Sequence, residues 1–265
     1  MKKIIMPVCR ILIVLIGITF LSFSLMYLGP GDPAEKYLAG GDGNKGTVSE
    51  EAIQAQREKW GLDKPFLVQY GVWLGRVFHG NLGNSYSTGR PVLQELTKKA
   101  GPTASLAFAS MLVCIIISVP LGVLCAYQKD GVIDNISRIF SFIGISLPSF
   151  LVSLILLYVL SVHYHWFSIS GENGIKGLLL PMAVLAFQSS AKLTRQVRSV
   201  VLTELGRPYV QGALARGIGK NRILFCHVLR NSWMPILTLI GIHFGIQLGG
   251  AAVVESVFSW QGLGQ

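Results

Sequence analysis

The sequence predicts an all-α polytopic membrane protein whose helices cross the bilayer about five times, and three observations lead to this fold class. Apolar residue types make up 51% of the 265 residues and charged types 14%, with a mean hydropathy of +0.53. One soluble core of this length cannot bury so much apolar surface, so the composition indicates a bilayer as the solvent. Long segments without Lys, Arg, Asp or Glu also recur, and cations concentrate in one connection between them.

The first predicted span covers residues 8–28, directly after a Met-Lys-Lys start. Its length of about 32 Å at 1.5 Å per residue crosses a hydrocarbon core of about 30 Å and exceeds the apolar core of a cleaved secretory signal. We therefore interpret it as a retained helix. Four further spans are predicted over residues 103–127, 139–162, 177–191 and 232–254. The span over 177–191 is the shortest, and Lys192 and Arg195 can snorkel from its end toward the interface.

Between the first two spans, residues 29–100 are predicted to form a folded external module. Ser49 is the expected N-cap of a short helix over 49–60, and Gly61 is expected to close it. Glycines then indicate an irregular stretch, after which Pro91 is expected to start a second short helix. These local signals predict a folded segment instead of a disordered one.

The distribution of cations predicts which side of the membrane each connection faces. Segment 192–230 carries eight Lys and Arg residues and one Glu, so it is expected in the cytoplasm. Counting the spans back from it places 128–138 inside, 29–102 outside and the N-terminus inside. Because this segment explains most of the net charge of +10, the charge does not indicate a nucleic-acid partner.

Cysteine and histidine side chains give few candidates for metal chemistry. The four cysteines are expected to be small membrane residues without a disulfide or a metal, since no two share a Cys-x-x-Cys spacing. His163 and His165 lie two residues apart at the outer end of a predicted span and supply at most part of a coordination shell. They are weak metal candidates, and ordinary histidines at the membrane interface are the alternative.

The last predicted span carries small and polar residues on different faces. Gly241, Gly245 and Gly249 repeat every four residues and form a face that lets another helix approach closely. His243 and Gln247 are offset from these glycines by two residues, about 200°, and lie on roughly the opposite face. Because polar side chains in a span avoid lipid, we interpret this pair as candidate residues of a translocation pathway, with the glycines packed laterally. Hydrogen bonding between helices without contact to cargo is the alternative.

A second candidate site lies in the cationic connection. Pro208 suits the first turn of a helix and Gly217 suits its end, which predicts a short helix over 208–217 with small side chains along one side. A helix of this length is marginal by itself and needs a partner groove. The sequence therefore predicts a docking element here.

This segment resembles the cytoplasmic loop of permease subunits of binding-protein-dependent ABC importers, where a Glu-Ala-Ala, three residues, Gly signature docks onto an ATPase. Gln211, Gly212, Ala213 and Gly217 occupy the signature positions, and the first two depart from the consensus. Arg230 stands where the general pattern has Pro, which is common in the branch of dipeptide, oligopeptide and nickel permeases. Further matches to this peptide and nickel branch lie at 29–33, 61–65, 69–70, 146–150 and 255–264.

The resemblance implies a type I ABC importer permease fold with an N-terminal transmembrane helix over 1–28, the external module over 29–100 and a permease core over 101–265. Family members continue into a sixth helix after the last motif, so this chain is expected to be C-terminally incomplete. Gln261 also stands where the family usually has Pro. The ATPase-coupling residues that the resemblance implies are Tyr209, Gln211, Gly212, Ala213, Ala215 and Gly217.

The resemblance also implies the partners of this chain. They are a second homologous permease, two ABC ATPase subunits, an external substrate-binding protein and the lipid of a bacterial or archaeal cytoplasmic (inner) membrane. The chain lacks a Walker A sequence, so ATP and Mg are expected in the ATPase subunits. The chain itself is predicted to be no enzyme and to bind no cofactor.

The energy source and the cargo leave alternatives open. The predicted function is import of nickel, as a chelate, or of short peptides, and the tracts 70–74 and 242–245 favour the nickel-like members. The alternative is a secondary transporter or channel without an ATPase, for which acidic or basic relays are expected inside the spans. The predicted spans offer only His243 for such a relay.

Overall fold

The computed structural model describes residues 2–38, 49–86, 88–168 and 174–265. Within these ranges the regular secondary structure is helical, apart from an isolated antiparallel bridge between Asn84 and Pro91. The predicted all-α class is confirmed. The chain divides into two compact units, unit 1 (residues 1–97) and unit 2 (residues 98–265).

The first unit contains a long apolar helix followed by shorter ones. Ser49 caps the third helix, where its hydroxyl oxygen accepts a hydrogen bond from the amide of Ala52 at 3.3 Å. Gly61 ends that helix with a φ of 70°, which glycine adopts without a Cβ clash. Both predicted helix ends are therefore confirmed. The helices are α1 (Lys2–Leu28), α2 (Pro33–Leu38), α3 (Glu50–Trp60), α4 (Phe66–Phe78) and the start of α5 (Val92–Tyr127).

Aromatic side chains pack α1 against α4. The ring centroids of Phe20 and Phe23 lie 5.2 Å and 5.6 Å from that of Tyr70, both in edge-on arrangements. Such ring pairs each contribute about 0.5–1.5 kcal/mol beyond their area burial. The Tyr70 hydroxyl contacts the Thr19 hydroxyl at 3.1 Å and the carbonyl of Ile16 at 3.3 Å. The buried phenol is therefore satisfied by α1 itself.

The fifth helix corrects one expectation. The helix that follows Pro91 is not short, since α5 continues for 36 residues and contains the predicted span 103–127. Pro102 lies inside α5 without ending it. The residues from Val92 to the proline are mostly good helix formers, and the fixed φ of proline is itself helical, so only one backbone hydrogen bond is lost.

Unit 2 contains the rest of α5 and six further helices. In the described part of the chain, four helical stretches are long and apolar enough to cross a membrane, and a fifth span results if a bent pair counts as one. This agrees with the predicted number of about five. The six helices are α6 (Val132–Ser146), α7 (Ser149–Leu157), α8 (Ile175–Leu205), α9 (Pro208–Ala215), α10 (Lys220–Ile223) and α11 (Leu229–Val257), with π-helical turns at Tyr158–His163 and Leu224–Val228.

The predicted span over 139–162 is not one continuous helix, and this prediction is wrong. α6 and α7 are bent by 100° at Leu147 and Pro148. A residue before proline favours extended backbone, and Leu147 has a ψ of 128°. Its carbonyl accepts a hydrogen bond from Nε2 of Gln188 in α8 at 2.8 Å. The break is tolerated because a neighbouring helix satisfies the freed backbone group.

The eighth helix is the one against which α6, α7 and α11 pack. A Cβ at Gly144 of α6 would lie 2.6 Å from the Cβ of Ala191, and a Cβ at Gly122 of α5 would lie 2.8 Å from the carbonyl oxygen of Thr194. These two glycines let α6 and α5 approach α8 more closely than a side chain allows. Leu193, with none of its surface exposed, fills the adjacent interior.

Candidate functional site

The short helix predicted in the cationic connection is α9. Pro208 is its first residue, where the missing amide costs no helical hydrogen bond. Arg207 before it has the extended conformation that the residue preceding a proline prefers, with a ψ of 149°. The helix ends two residues earlier than the predicted 208–217, because the last two residues form its C-cap.

The C-terminal end of α9 is a Schellman motif. The amide of Gly217 donates to the carbonyl of Leu214 at 2.9 Å, and the amide of Ile218 donates to the carbonyl of Ala213 at 3.2 Å. Gly217 has a φ of 76°, which L side chains rarely adopt. The signature glycine is therefore required by the backbone of this chain, whatever binds to the helix.

One face of α9 is buried and the other is open. Val210 and Ala213 are only 3% and 4% exposed, so this face is fixed to unit 2. A Cβ at Gly212 or at Gly217 would meet no described atom within 4 Å. Of the six residues expected to contact an ATPase, Ala213 is buried. The other five are exposed: Tyr209, Gln211, Gly212, Ala215 and Gly217.

The beginning of α9 is tied to the end of α8. The Tyr209 hydroxyl donates a hydrogen bond to Oε1 of Glu204 at 2.9 Å, and Nε of Arg207 lies 3.7 Å from Oε2 of the same carboxylate. Partial burial raises the pKa of the Tyr209 phenol, and the hydrogen bond to the Glu204 carboxylate acts in the same direction. An exposed ion pair of this kind contributes at most about 1 kcal/mol, so these contacts orient α9 more than they stabilise it.

A hydrophobic cluster beneath α9 connects it with the long helices. Interiors are close-packed, so α9 cannot move without displacing these neighbours. The Tyr127 hydroxyl at the end of α5 also donates to Oδ1 of Asn221 in α10 at 2.7 Å. Besides Val210 and Ala213, the buried members of the cluster are Met111, Cys114, Val123, Ala126, Leu193, Val197, Val201, Ile223, Leu224, Val228 and Ile236.

An ion-pair network that the sequence did not reveal joins α6 to α8. Asp134 has no exposed surface, and its two carboxylate oxygens accept from Nε and a terminal nitrogen of Arg198 at 2.6 Å and 2.7 Å. Arg138 adds a contact at 2.8 Å, and the amide of Asp130 donates at 2.9 Å. Such a two-point arginine pair fixes geometry as well as charge. Asp134 and Arg198 are 64 residues apart in the sequence, and only the fold brings them together. No local sequence pattern therefore indicates this ion pair.

His243 and Gln247 lie between helices and are 5% and 3% exposed. Nε2 of His243 lies 2.6 Å from Oε1 of Gln196 in α8. Nε2 of Gln247 donates to the Ser110 hydroxyl in α5 at 2.6 Å. The structure thus has the geometry of the alternative, hydrogen bonding between helices. A role of the pair in the translocation pathway stays a prediction.

The glycine face of α11 is open within this chain. A Cβ at Gly241, Gly245 or Gly249 would have no neighbour within 4 Å in the part of the chain that the structure describes. His243 and Gln247 meet α8 and α5 of the same chain instead. Lateral packing of the glycines against another helix stays a prediction.

The two weak metal candidates lie at the end of the π-helical turn. His163 and His165 are both exposed, and the ring of His163 contacts that of Tyr164 at a centroid distance of 4.8 Å. Over the described ranges, no group of three or more His, Cys, Asp or Glu residues is arranged to hold a metal ion. The structure therefore brings no third ligand of these types to the histidine pair.

Two family profiles match this chain. The profile described as "Binding-protein-dependent transport system inner membrane component" covers residues 118–265, which include α9 and the Asp134 network. The profile described as "Binding-prot-dependent transport system membrane comp, N-term" covers residues 1–107. The matches thus extend over both compact units.

Named relatives are similar over nearly the whole chain. An oligopeptide transport system permease protein of Bacillus subtilis is 37% identical over 263 residues, which cover 95% of this chain and 81% of the relative. A putative peptide permease protein of Brucella suis is 35% identical, with 94% and 81% covered. A probable peptide ABC transporter permease protein of Sinorhizobium fredii is 36% identical, with 92% and 78% covered. With its apolar helices, its solvent-facing α9 and these matches, the chain belongs to the inner membrane permease components of binding-protein-dependent ABC transport systems.

Proposed function

We propose that this chain carries short peptides across the cytoplasmic membrane as one permease subunit of an ATP-driven importer, and that an ATPase docks on α9. The observation that carries the proposal is the two-sided geometry of α9. Val210 and Ala213 hold one face in unit 2, whereas Gln211 and Gly212 lie on an open face. A short helix with one face packed against its own chain and the other face exposed suits insertion into a groove of a partner protein.

In this mechanism, the chain contributes position and movement and no phosphate chemistry. ATP and Mg are bound by two separate ATPase subunits, and their rearrangement pushes α9. Val210 and Ala213 share a close-packed cluster with Val197 and Val201 of α8. A displacement of α9 therefore pushes directly on α8. The importer then switches between two packed arrangements that open to opposite sides of the membrane.

The same proposal sets the membrane topology and the remaining partners. Segment 192–230 and the N-terminus lie in the cytoplasm, where the cations are retained and the ATPases bind. Residues 29–100 lie outside, where a substrate-binding protein delivers the cargo. A second homologous permease completes the passage.

Short peptides are the proposed cargo because the three relatives are named as oligopeptide or peptide permeases. A nickel chelate is the alternative cargo to test, since the tracts 70–74 and 242–245 favour the nickel-like members of the family. The exposed His163 and His165 are the residues to replace if a nickel chelate drives the importer.

The test is ATP hydrolysis by the complete importer in proteoliposomes, challenged separately with short peptides and nickel chelates. We expect stimulation by peptides. Stimulation by nickel chelates alone would contradict the proposed cargo. Uptake that persists without any ATPase would contradict the ATP-driven mechanism and favour a secondary transporter.

Docking on α9 is tested with two substitutions at one position. Gly212→Trp places a large ring on the open face, and we expect at least a tenfold loss of ATPase copurification, equivalent to about 1.4 kcal/mol. Gly212→Ala is the matched control, since alanine favours helix by about 1 kcal/mol and adds only a methyl group. Normal copurification of the ATPase with the Gly212→Trp chain would refute docking on this face.

A further inference from the structure

Unit 1 contains a cavity of about 690 Å³ that the transport function does not explain. Its volume falls in the range of about 300–1,000 Å³ that is typical of ligand cavities. One wall is a stripe of α1 formed by Thr19, Ser22, Phe23 and Met26, which recur at helical spacing on one face. The cavity therefore follows the apolar helix lengthwise.

The opposite walls come from the module that follows α1. Trp60 ends α3, Trp73 lies in the middle of α4, and Tyr86 lies in the irregular loop before α5. The rings of Trp60 and Tyr86 lie 4.7 Å apart between centroids, and those of Phe23 and Trp73 lie 6.1 Å apart. Ring contacts of this kind fix the positions of the side chains that form these walls.

Two cations also line this compartment. Lys59 and Arg76 line the large cavity and also a smaller one of about 160 Å³, which Lys64 and Glu58 line as well. Among the described residues, neither Lys59 nor Arg76 has a carboxylate within 4 Å, whereas other arginines of the chain do. Burial raises the pKa of Tyr86 and the charge of Arg76 opposes that rise, so the arginine charge acts inside the cavity.

The two cavities share Lys59 and Arg76, so an apolar wall on a membrane helix and two cationic side chains line the same region of unit 1. From Thr19 to the end of α1 at Leu28 is about 13 Å at 1.5 Å per residue, so the apolar part reaches nearly half the hydrocarbon thickness. An apolar wall at that depth matches the acyl chains of the surrounding bilayer better than it matches a water-soluble cargo.

We propose that this cavity binds one glycerophospholipid, with an acyl chain along the α1 stripe and the phosphate at Lys59 and Arg76. Tryptophan and tyrosine favour the level where acyl chains meet head groups, which matches Trp60, Trp73 and Tyr86. Basic pockets at membrane helices bind lipid phosphates in the same way. The bound lipid fastens the module to α1 and makes the integrity of unit 1 depend on lipid.

Native mass spectrometry of the complete importer during stepwise delipidation tests the proposal. We expect one phospholipid per copy of this chain to survive when bulk lipid is removed. The variant Lys59→Gln with Arg76→Gln is expected to lower that retention at least fivefold. Lys98→Gln with Lys99→Gln is the matched control, because it removes the same charge and neither residue lines these two cavities.

A second variant keeps both cations and fills the apolar compartment. Ser22→Trp is expected to lower lipid retention to a similar extent while leaving the importer assembled. Equal retention in the wild type and in both cavity variants would overturn the proposal. So would retention that inorganic phosphate or a short peptide displaces as well as phospholipid does, because the occupant would then be a free anion or cargo.

Discussion

Replacing Asp134 by alanine is the most informative perturbation of the packing between α6 and α8. The carboxylate has no exposed surface and accepts hydrogen bonds from Arg198, from Arg138 and from the amide of Asp130. Its removal leaves the Arg198 side chain, which is only 20% exposed, without its two-point partner. Breaking a buried pair in this way costs about 3–5 kcal/mol, because the remaining charge stays desolvated.

The assay is the melting temperature of the purified importer for Asp134→Ala, Arg198→Ala and the double variant. At roughly 2–4 °C per kcal/mol, each single variant is expected to melt about 6–20 °C lower. The double variant is expected to lose clearly less than the sum, since no lone charge remains. Asp130→Asn is the control, because asparagine tolerates the φ of 61° at this position, the side chain is 65% exposed and its pair with Arg138 contributes at most about 1 kcal/mol. Strictly additive losses, or an unchanged melting temperature for Asp134→Ala, would refute the reasoning.

Three further substitutions test the packing described above. Gly217→Ala forces a side chain into a φ of 76° and is expected to cost about 1–2 kcal/mol of stability. It is also expected to weaken ATPase copurification, and a normal yield of the complex would show that docking does not depend on the Schellman motif at the end of α9. Gly144→Val is expected to cost about 1–3 kcal/mol in thermal stability because its Cβ meets Ala191, and Ala191→Gly should restore part of that loss. Gln247→Leu is expected to cost about 0.6 kcal/mol and leave uptake unchanged; uptake lost at normal stability would instead support a place in the translocation pathway.

Features set by local chemistry were predictable from the sequence. α3 begins at a capping serine and ends at a glycine in the left-handed conformation, as Ser49 and Gly61 indicate. α9 has the proline start and glycine end that Pro208 and Gly217 indicate. In these cases the decisive hydrogen bonds join residues within one turn, so no knowledge of the fold is needed.

Features set by contacts between distant residues were not predictable. The bend at Pro148 depends on Gln188, which satisfies the Leu147 carbonyl from 41 residues away. The side of α11 that packs depends on Gln196 and Ser110, which lie on other helices. Periodicity showed that the glycines and the polar pair lie on opposite faces, but a period cannot show which face meets the neighbouring helices. The hydrogen-bonding partners of His243 and Gln247 could therefore not be identified from the sequence.

The distant contacts have one element in common, the helix α8. α8 carries Gln188 at the α6–α7 break, Gln196 against α11 and Arg198 against Asp134, and it ends three residues before α9 begins. From Gln188 to the end of α8 is about 26 Å along a continuous helix. In the proposed mechanism, α8 is the helix that carries a movement of α9 to all three contacts, because a helix bends far less readily than a loop. Rearranging the passage then requires no separate signal to each span, only two stable positions of α8 among its neighbours.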